Sequence, residues 1–142
     1  MILPFYLSCD DPADSLYQLA DGRFQLIANG PVAQLMVGSD YVLAENRLAD
    51  FLFTRGLDRV HFLPATIYRR GSGEEYRTHQ QLVVEQHFDS EGIRDLALDG
   101  ERLLLMGNRY LFVSPALKDV LQTSEFTYLR FSEGLSEFAA ST

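Results

Sequence analysis

The period of the hydrophobic positions changes along the chain, and each change marks an element. Tyr41 to Ala44 is continuously apolar, as a short buried strand would be, and apolar residues then fall at Leu48, Phe51 and Leu52, one face of a short helix. Gly56 reads as the left-handed stop of that helix. Val60 and Phe62 then alternate with polar neighbours, as on a half-buried strand. The same grammar returns later: an apolar run from Tyr110 to Val113, a helix face of Leu117, Val120 and Leu121, and alternation at Leu129 and Phe131. Ser114 followed by Pro115 is a strong start for this second helix, because a hydroxyl accepts an orphan backbone N–H and proline suits the first helical position. The first helix carries Glu45 at the matching place, a poorer cap, and Asn46 is expected to take the role one residue later.

Laid over each other at a constant offset of 69, residues 41–63 and 110–132 align without a gap. Tyr41 meets Tyr110, Leu48 meets Leu117, Asp50 meets Asp119, Leu52 meets Leu121, Thr54 meets Thr123 and Phe62 meets Phe131. Self-similarity of this kind dictates architecture, so two pseudo-repeated strand-helix-strand units are expected, about 41–64 and 110–133. Between them, residues 71–75 (GSGEE) have loop chemistry. Thr78 to Phe88 then reads as one long strand, with Leu82, Val84 and Phe88 on one face and His79, Gln81, Val83, Glu85 and His87 on the other; a helix is the alternative. Arg102 to Met106 gives a further strand with a Gly107-Asn108 turn, and Pro4 to Leu7 and Phe24 to Ala28 are strands upstream, the latter followed by an Asn29-Gly30-Pro31 turn. The tail from Leu135 to Thr142 reads as a frayed end. Many short strands with two helices define an α+β class with additional antiparallel strands.

The 142 residues make one domain spanning 1–142, long enough to bury a core of its own. Apolar residues form 46% and aromatics 12%, which excludes a disordered chain. Twenty acids oppose twelve bases, all arginine except Lys118, for a net charge of −8. Such a surplus disfavours direct binding to a nucleic-acid backbone. The N-terminal MILPFYL has no basic residue before it and is interrupted by Asp10 and Asp11, so it does not read as a signal peptide. With no apolar run approaching a membrane span and Cys9 as the sole cysteine, a soluble cytoplasmic protein is expected.

Candidate chemistry is sparse, and no cofactor or metal is expected. His79 and His87 lie about 27 Å apart along a strand and about 12 Å apart along a helix. Neither separation lets both ligate one ion at about 2 Å. A solvated strand face is the preferred reading of His79, Glu85 and His87; a small enzyme or ligand-binding site on that face is the alternative. His61 reads as an ordinary strand residue. Asp10 and Asp11 disfavour a thiolate at Cys9, which reads as a small, partly buried thiol. No nucleophile elbow or phosphate-cradling loop is present, so catalysis gains no positive support. The acids are clustered: Glu85, Asp89, Glu91, Asp95, Asp99 and Glu101 surround Arg94 alone within residues 85–101, and Asp10, Asp11 and Asp14 form a second group. Both read as a solvated face or as a surface that attracts a basic protein partner, with Tyr68, Arg69, Arg70 and Tyr76 as anchoring types if exposed.

The repeated pattern, a Tyr-led apolar strand, a capped helix, then Gly56, Leu57, Val60, Phe62 and Pro64, resembles a family of bacterial immunity proteins associated with polymorphic toxins and secretion-delivered effectors, first catalogued as a domain of unknown function. The similarity covers roughly residues 41–133, and its motifs are structural. The second copy departs from it at Glu125, which stands where the first has Gly56, and lacks the proline after the strand. The resemblance implies a non-enzymatic cytoplasmic protein that binds a cognate toxin, a nuclease being one class, and blocks its active site or its substrate access. It transfers no catalytic residues.

Overall fold

In the computed structural model, which describes residues 2–10, 16–26 and 32–139, the apolar runs become strands of two sheets. The chain runs through β1 (Phe5–Cys9), β2 (Leu16–Gln18), β3 (Phe24–Leu26), β4 (Leu35–Gly38), β5 (Tyr41–Glu45), α1 (Asn46–Thr54), β6 (Val60–Arg69) and β7 (Glu75–Val84). It continues through β8 (His87–Phe88), a 3-10 helix (Ser90–Asp95), β9 (Leu103–Met106), β10 (Tyr110–Val113), α2 (Pro115–Gln122), β11 (Leu129–Glu133) and α3 (Ser136–Ala139). One sheet has the order β2-β3-β6-β7-β5-β4 and the other the order β11-β1-β10-β9-β8. Pairing is antiparallel except for β3 with β6 and β8 with β9. The result is a mixed α/β arrangement of two sheets and a few helices in a single compact domain, as the expected class requires. No helix among the described residues is long and apolar enough to cross a membrane.

Three apolar clusters explain why several strands read as unbroken runs. Val42, Ala44, Leu82 and Val84 of the first sheet meet Leu103, Leu105, Leu111 and Val113 of the second, with Leu48 and Leu52 of α1 and Leu117 and Leu121 of α2 closing the same core. Behind the first sheet, Tyr41 and Leu43 pack with Phe24, Leu26, Met36, Ala65 and Ile67. Behind the second, Leu104 and Phe112 pack with Phe88 and Ile93. Strands covered on both faces lose the polar half of their alternation. Gly38 belongs to the second cluster's packing in its own way: a Cβ there would stand 2.3 Å from the Tyr41 ring, whose hydroxyl accepts a 3.0 Å bond from Leu16 N.

Several expectations are corrected. The strand expected over Thr78 to Phe88 begins earlier, at Glu75, and breaks at Glu85-Gln86, because β7 pairs in one sheet and β8 in the other. His79 is not on a solvated face but is 5% exposed, because its side of the strand is the one covered by the second cluster. Asn46 is not the cap of α1: Glu45 occupies that position without a side-chain cap bond, and Asn46 Nδ2 instead donates to the Arg77 carbonyl at 3.0 Å. The tail is ordered through Ala139, since Phe138 packs on Tyr6 and Tyr110 with ring centroids 5.0 and 4.9 Å away. The strand from Phe24 ends at Leu26 among the described residues, and Ile27, Ala28 and the Asn29-Gly30-Pro31 turn lie outside them. Gly56 has φ +63, the left-handed conformation a helix stop requires.

Ser114 is a fully buried hydroxyl that joins β10, α2 and the chain entering β9. Its Oγ accepts from Arg102 N at 2.8 Å and from Leu117 N at 3.5 Å, and its hydroxyl donates to the Gly100 carbonyl at 2.8 Å. Loss of a cap costs about 1 kcal/mol, and each backbone group left unpaired in the interior adds about 1–3 kcal/mol. Ser114→Ala should therefore lower stability by about 2–4 kcal/mol in urea titration. Thr54→Ala, at the exposed end of α1, should stay within about 0.5 kcal/mol.

Candidate functional site

The acidic segment 85–101 is held to the body by apolar side chains, by the buried amide of Gln86 and by Arg102. Ile93, at the centre of the 3-10 helix, is 6% exposed and packs with Phe88, Leu104 and Phe112, which turns Asp89, Glu91 and Asp95 outward. Gln86 is also buried, its Nε2 donating to the Ala97 carbonyl at 3.4 Å and its Oε1 accepting from Arg102 Nη1 at 3.2 Å. Arg102 Nε donates to the Asp99 carbonyl at 2.8 Å, so one side chain ties both ends of the segment together.

The nine acids singled out from the sequence divide into two sets on this scaffold. Glu101 is held by Arg55 in a bidentate pair, both N–O distances 2.6 Å, and the hydrogen bonds from Arg55 lower its pKa. Asp99 lies 3.6 Å from Arg102, Glu85 pairs with His61 at 2.7 Å, and Asp10 pairs with Arg130. Asp11 and Asp14 lie outside the described residues. Asp89, Glu91 and Asp95 are exposed and make no ion pair among the described residues. Those three carboxylates, on an edge anchored by the buried Ile93 and with Arg94 as the one base of the same 3-10 helix, form an acidic surface.

His79, Glu85 and His87 are not brought together. The His79 ring is buried, with Nε2 2.7 Å from the Ala33 carbonyl and Nδ1 2.8 Å from Thr78 Oγ1, so neutral imidazole donates to the carbonyl and accepts from the hydroxyl. Glu85 faces His61. His87 lies across the sheet junction, Nδ1 2.8 Å from the Gly107 carbonyl, beside a cleft of about 170 Å³ that also contains Asp40 and Asn108. No group of three His, Cys, Asp or Glu side chains among the described residues is placed to hold a metal ion. Cys9 is half-buried, its Sγ 3.6 Å from Gln34 Oε1. Nearby, the Tyr128 hydroxyl is enclosed without a partner of ordinary hydrogen-bond geometry; burial first, and then the Glu45 carboxylate beside it, raise its pKa.

The anchoring types named from the sequence gather at the β6–β7 hairpin. Arg23 lies 4.7 Å over the Tyr68 ring, and Arg69 hydrogen-bonds Tyr76 Oη at 3.1 Å. Tyr68, Arg69 and Tyr76 are half-buried and Arg70 is exposed.

A feature missed by sequence reasoning lies between α1 and the strands β6 and β7. There a groove of about 700 Å³ is walled by Phe53, Phe62 and Pro64 and edged by Asn46, Asp50, Arg77 and Gln80. Its sequence signal was an aromatic residue on the polar side of a helix: Phe53, 67% exposed, lies outside the buried Leu48–Leu52 stripe. Compared with protein-family models, curated proteins and solved structures, the chain matches none.

His79 gives the fold a pH dependence with a defined sign. Burial lowers its pKa below the ordinary 6.5, outweighing the Ala33 carbonyl and Glu45, which both raise it. The unfolded chain therefore binds the extra proton first, and stability present above about pH 6.5 falls as the solution is acidified through the folded-state value. Urea midpoints should decline from about pH 6.5 downward. His79→Gln should be less stable at neutral pH and lose that part of the decline.

Proposed function

We propose that the chain is a cytoplasmic immunity-type protein that binds a basic toxin domain and blocks its active site or substrate access, without catalysing a reaction itself. A nuclease delivered by a bacterial secretion system is the class of toxin that best suits its charge, because the groove that holds phosphates in such an enzyme is basic. The observation that carries this reading is the set of exposed carboxylates of Asp89, Glu91 and Asp95, without an ion pair among the described residues, on an edge anchored by Ile93 in a chain with net charge −8. Uncompensated charge of one sign steers an oppositely charged partner and raises its association rate. Glu101 and Asp99 contribute less, since their charge is already met by Arg55 and Arg102.

The two strand-helix-strand segments are read in the same proposal as duplicated units. In support, β5 and β6 flank the antiparallel β7 in one sheet, while β10 and β11 flank the antiparallel β1 in the other, with a helix joining each pair.

Co-expression with the product of an adjacent toxin-like gene should yield a stable one-to-one complex on pull-down and restore host growth; absence of both would remove the immunity reading. In that complex, Asp89→Asn with Glu91→Gln and Asp95→Asn should slow association about three- to tenfold at low salt and flatten its salt dependence. An unchanged salt series would remove this edge from the interface.

A further inference from the structure

The groove beside α1 is lined by three side chains, Asn46, Asp50 and Gln80, that each keep an acceptor oxygen, with Arg77 as the one cation of the lining. Gln80 Nε2 donates to Asp50 Oδ1 at 3.0 Å, and Asn46 Nδ2 donates to the Arg77 carbonyl at 3.0 Å. These bonds fix both amides, with their oxygens as the free ends. Asp50 Oδ2, Gln80 Oε1 and Asn46 Oδ1 thus remain acceptors without a protein partner among the described residues. Arg77 does not neutralise Asp50: its side chain is 79% exposed, and the acid it approaches, at 3.9 Å, is Glu75. The opposite wall is aromatic, with Phe53 and Phe62 edge-to-face at a centroid distance of 5.5 Å. Phe53 is 67% exposed although it is a large apolar side chain.

A carboxylate and two amide oxygens in one groove with two aromatic rings match the planar guanidinium group, which offers five donors, carries a permanent positive charge and stacks on rings. A carboxylate or phosphate ligand would find one cation at the edge, Arg77, which lies near Glu75, and would meet the Asp50 carboxylate beside it; a purely apolar ligand would leave the three oxygens unpaired. We propose that this groove receives an arginine side chain presented by the protein partner. The proposal rests on the reading of the chain as a binder of a basic protein, and it names the second contact of that complex, apart from the acidic edge.

The test uses the whole chain and acetyl-arginine amide as probe, followed by amide chemical shifts in nuclear magnetic resonance, with acetyl-norleucine amide and acetyl-lysine amide alongside. Saturable shifts at Asn46, Asp50, Phe53 and Gln80 are expected with the arginine probe. Asp50→Asn should weaken binding about tenfold, as loss of a charge-assisted hydrogen bond does. Phe53→Ala should weaken it several-fold, and Asp95→Asn should leave it unchanged. Equal response to norleucine, a stronger response to lysine, or no effect of Asp50→Asn would overturn the proposal. Growth rescue separates its failure from that of the reading beneath it. A chain that protects its host while Asp50→Asn and Phe53→Ala protect equally well rejects the groove and keeps immunity; a groove that binds arginine in a chain that protects nothing does the reverse.

Discussion

Strand β5 has no solvent face: Val42 and Ala44 point into the core between the sheets, while Tyr41 and Leu43 point into a second core behind them. Both of its edges are paired as well, Leu43 with Gln81 of β7 and Leu35 of β4 with Ala44. Val42 and Leu43 each contribute about 1.5–3 kcal/mol on burial, and a charged residue at any of the four positions would meet a dry surface. The rest of the first sheet follows from this double burial. α1 must cover one side, and β2 and β3 must be brought over the other, which is why the short segment Phe24–Leu26 pairs with β6 in parallel. Leu104 and Phe112 impose the same requirement on the second sheet, and the 3-10 helix and α3 meet it.

The charges divide along similar lines. Arg55, Arg102 and Arg130 each pair with an acid, so Glu101, Asp99 and Asp10 have their charge met within the protein. Exposed pairs of this kind add little stability. Their effect is on where the field remains. Asp89, Glu91 and Asp95, which make no ion pair among the described residues, stand on and beside a short helix whose single buried residue is Ile93, while Arg23 and Arg69 near the β6–β7 hairpin are engaged with tyrosines and Arg23 with Glu75. Part of the net charge of the sequence is thus gathered on one edge.

Elements whose periodicity was decided by a single neighbour were legible in the sequence. The α2 cap at Ser114, the Gly56 stop and the strands at Tyr41, Tyr110 and Leu129 all depend on local chemistry, and they lie where that chemistry puts them. What escaped depends on tertiary partners. His79 alternates with Gln80 as a surface residue would, and only the cluster behind β7 makes it buried. Phe138 looked like part of a loose end because its three aromatic partners come from Tyr6, Tyr110 and Phe112, distant in the chain. The break at Glu85-Gln86 has no proline or glycine to announce it, since a change of sheet is a decision about pairing rather than conformation. The acidic edge was visible as composition, but which acids are spent on arginines was not. The groove was hidden because its polar atoms come from α1 and β7, some thirty residues apart.

Strand β1 lies between β10 and β11, with Phe5 opposite Val113 on one side and Glu133 on the other. Its partners are therefore synthesised about a hundred residues after it on a ribosome that makes the chain from its N-terminus. The first sheet has all its strands once Val84 has emerged, whereas β1 has no native neighbour until the second sheet is nearly translated. Loops of this length close slowly. Until then Phe5, Tyr6 and Leu7 have no native strand on either side, and an apolar segment with unpaired edges is a template for pairing with another molecule.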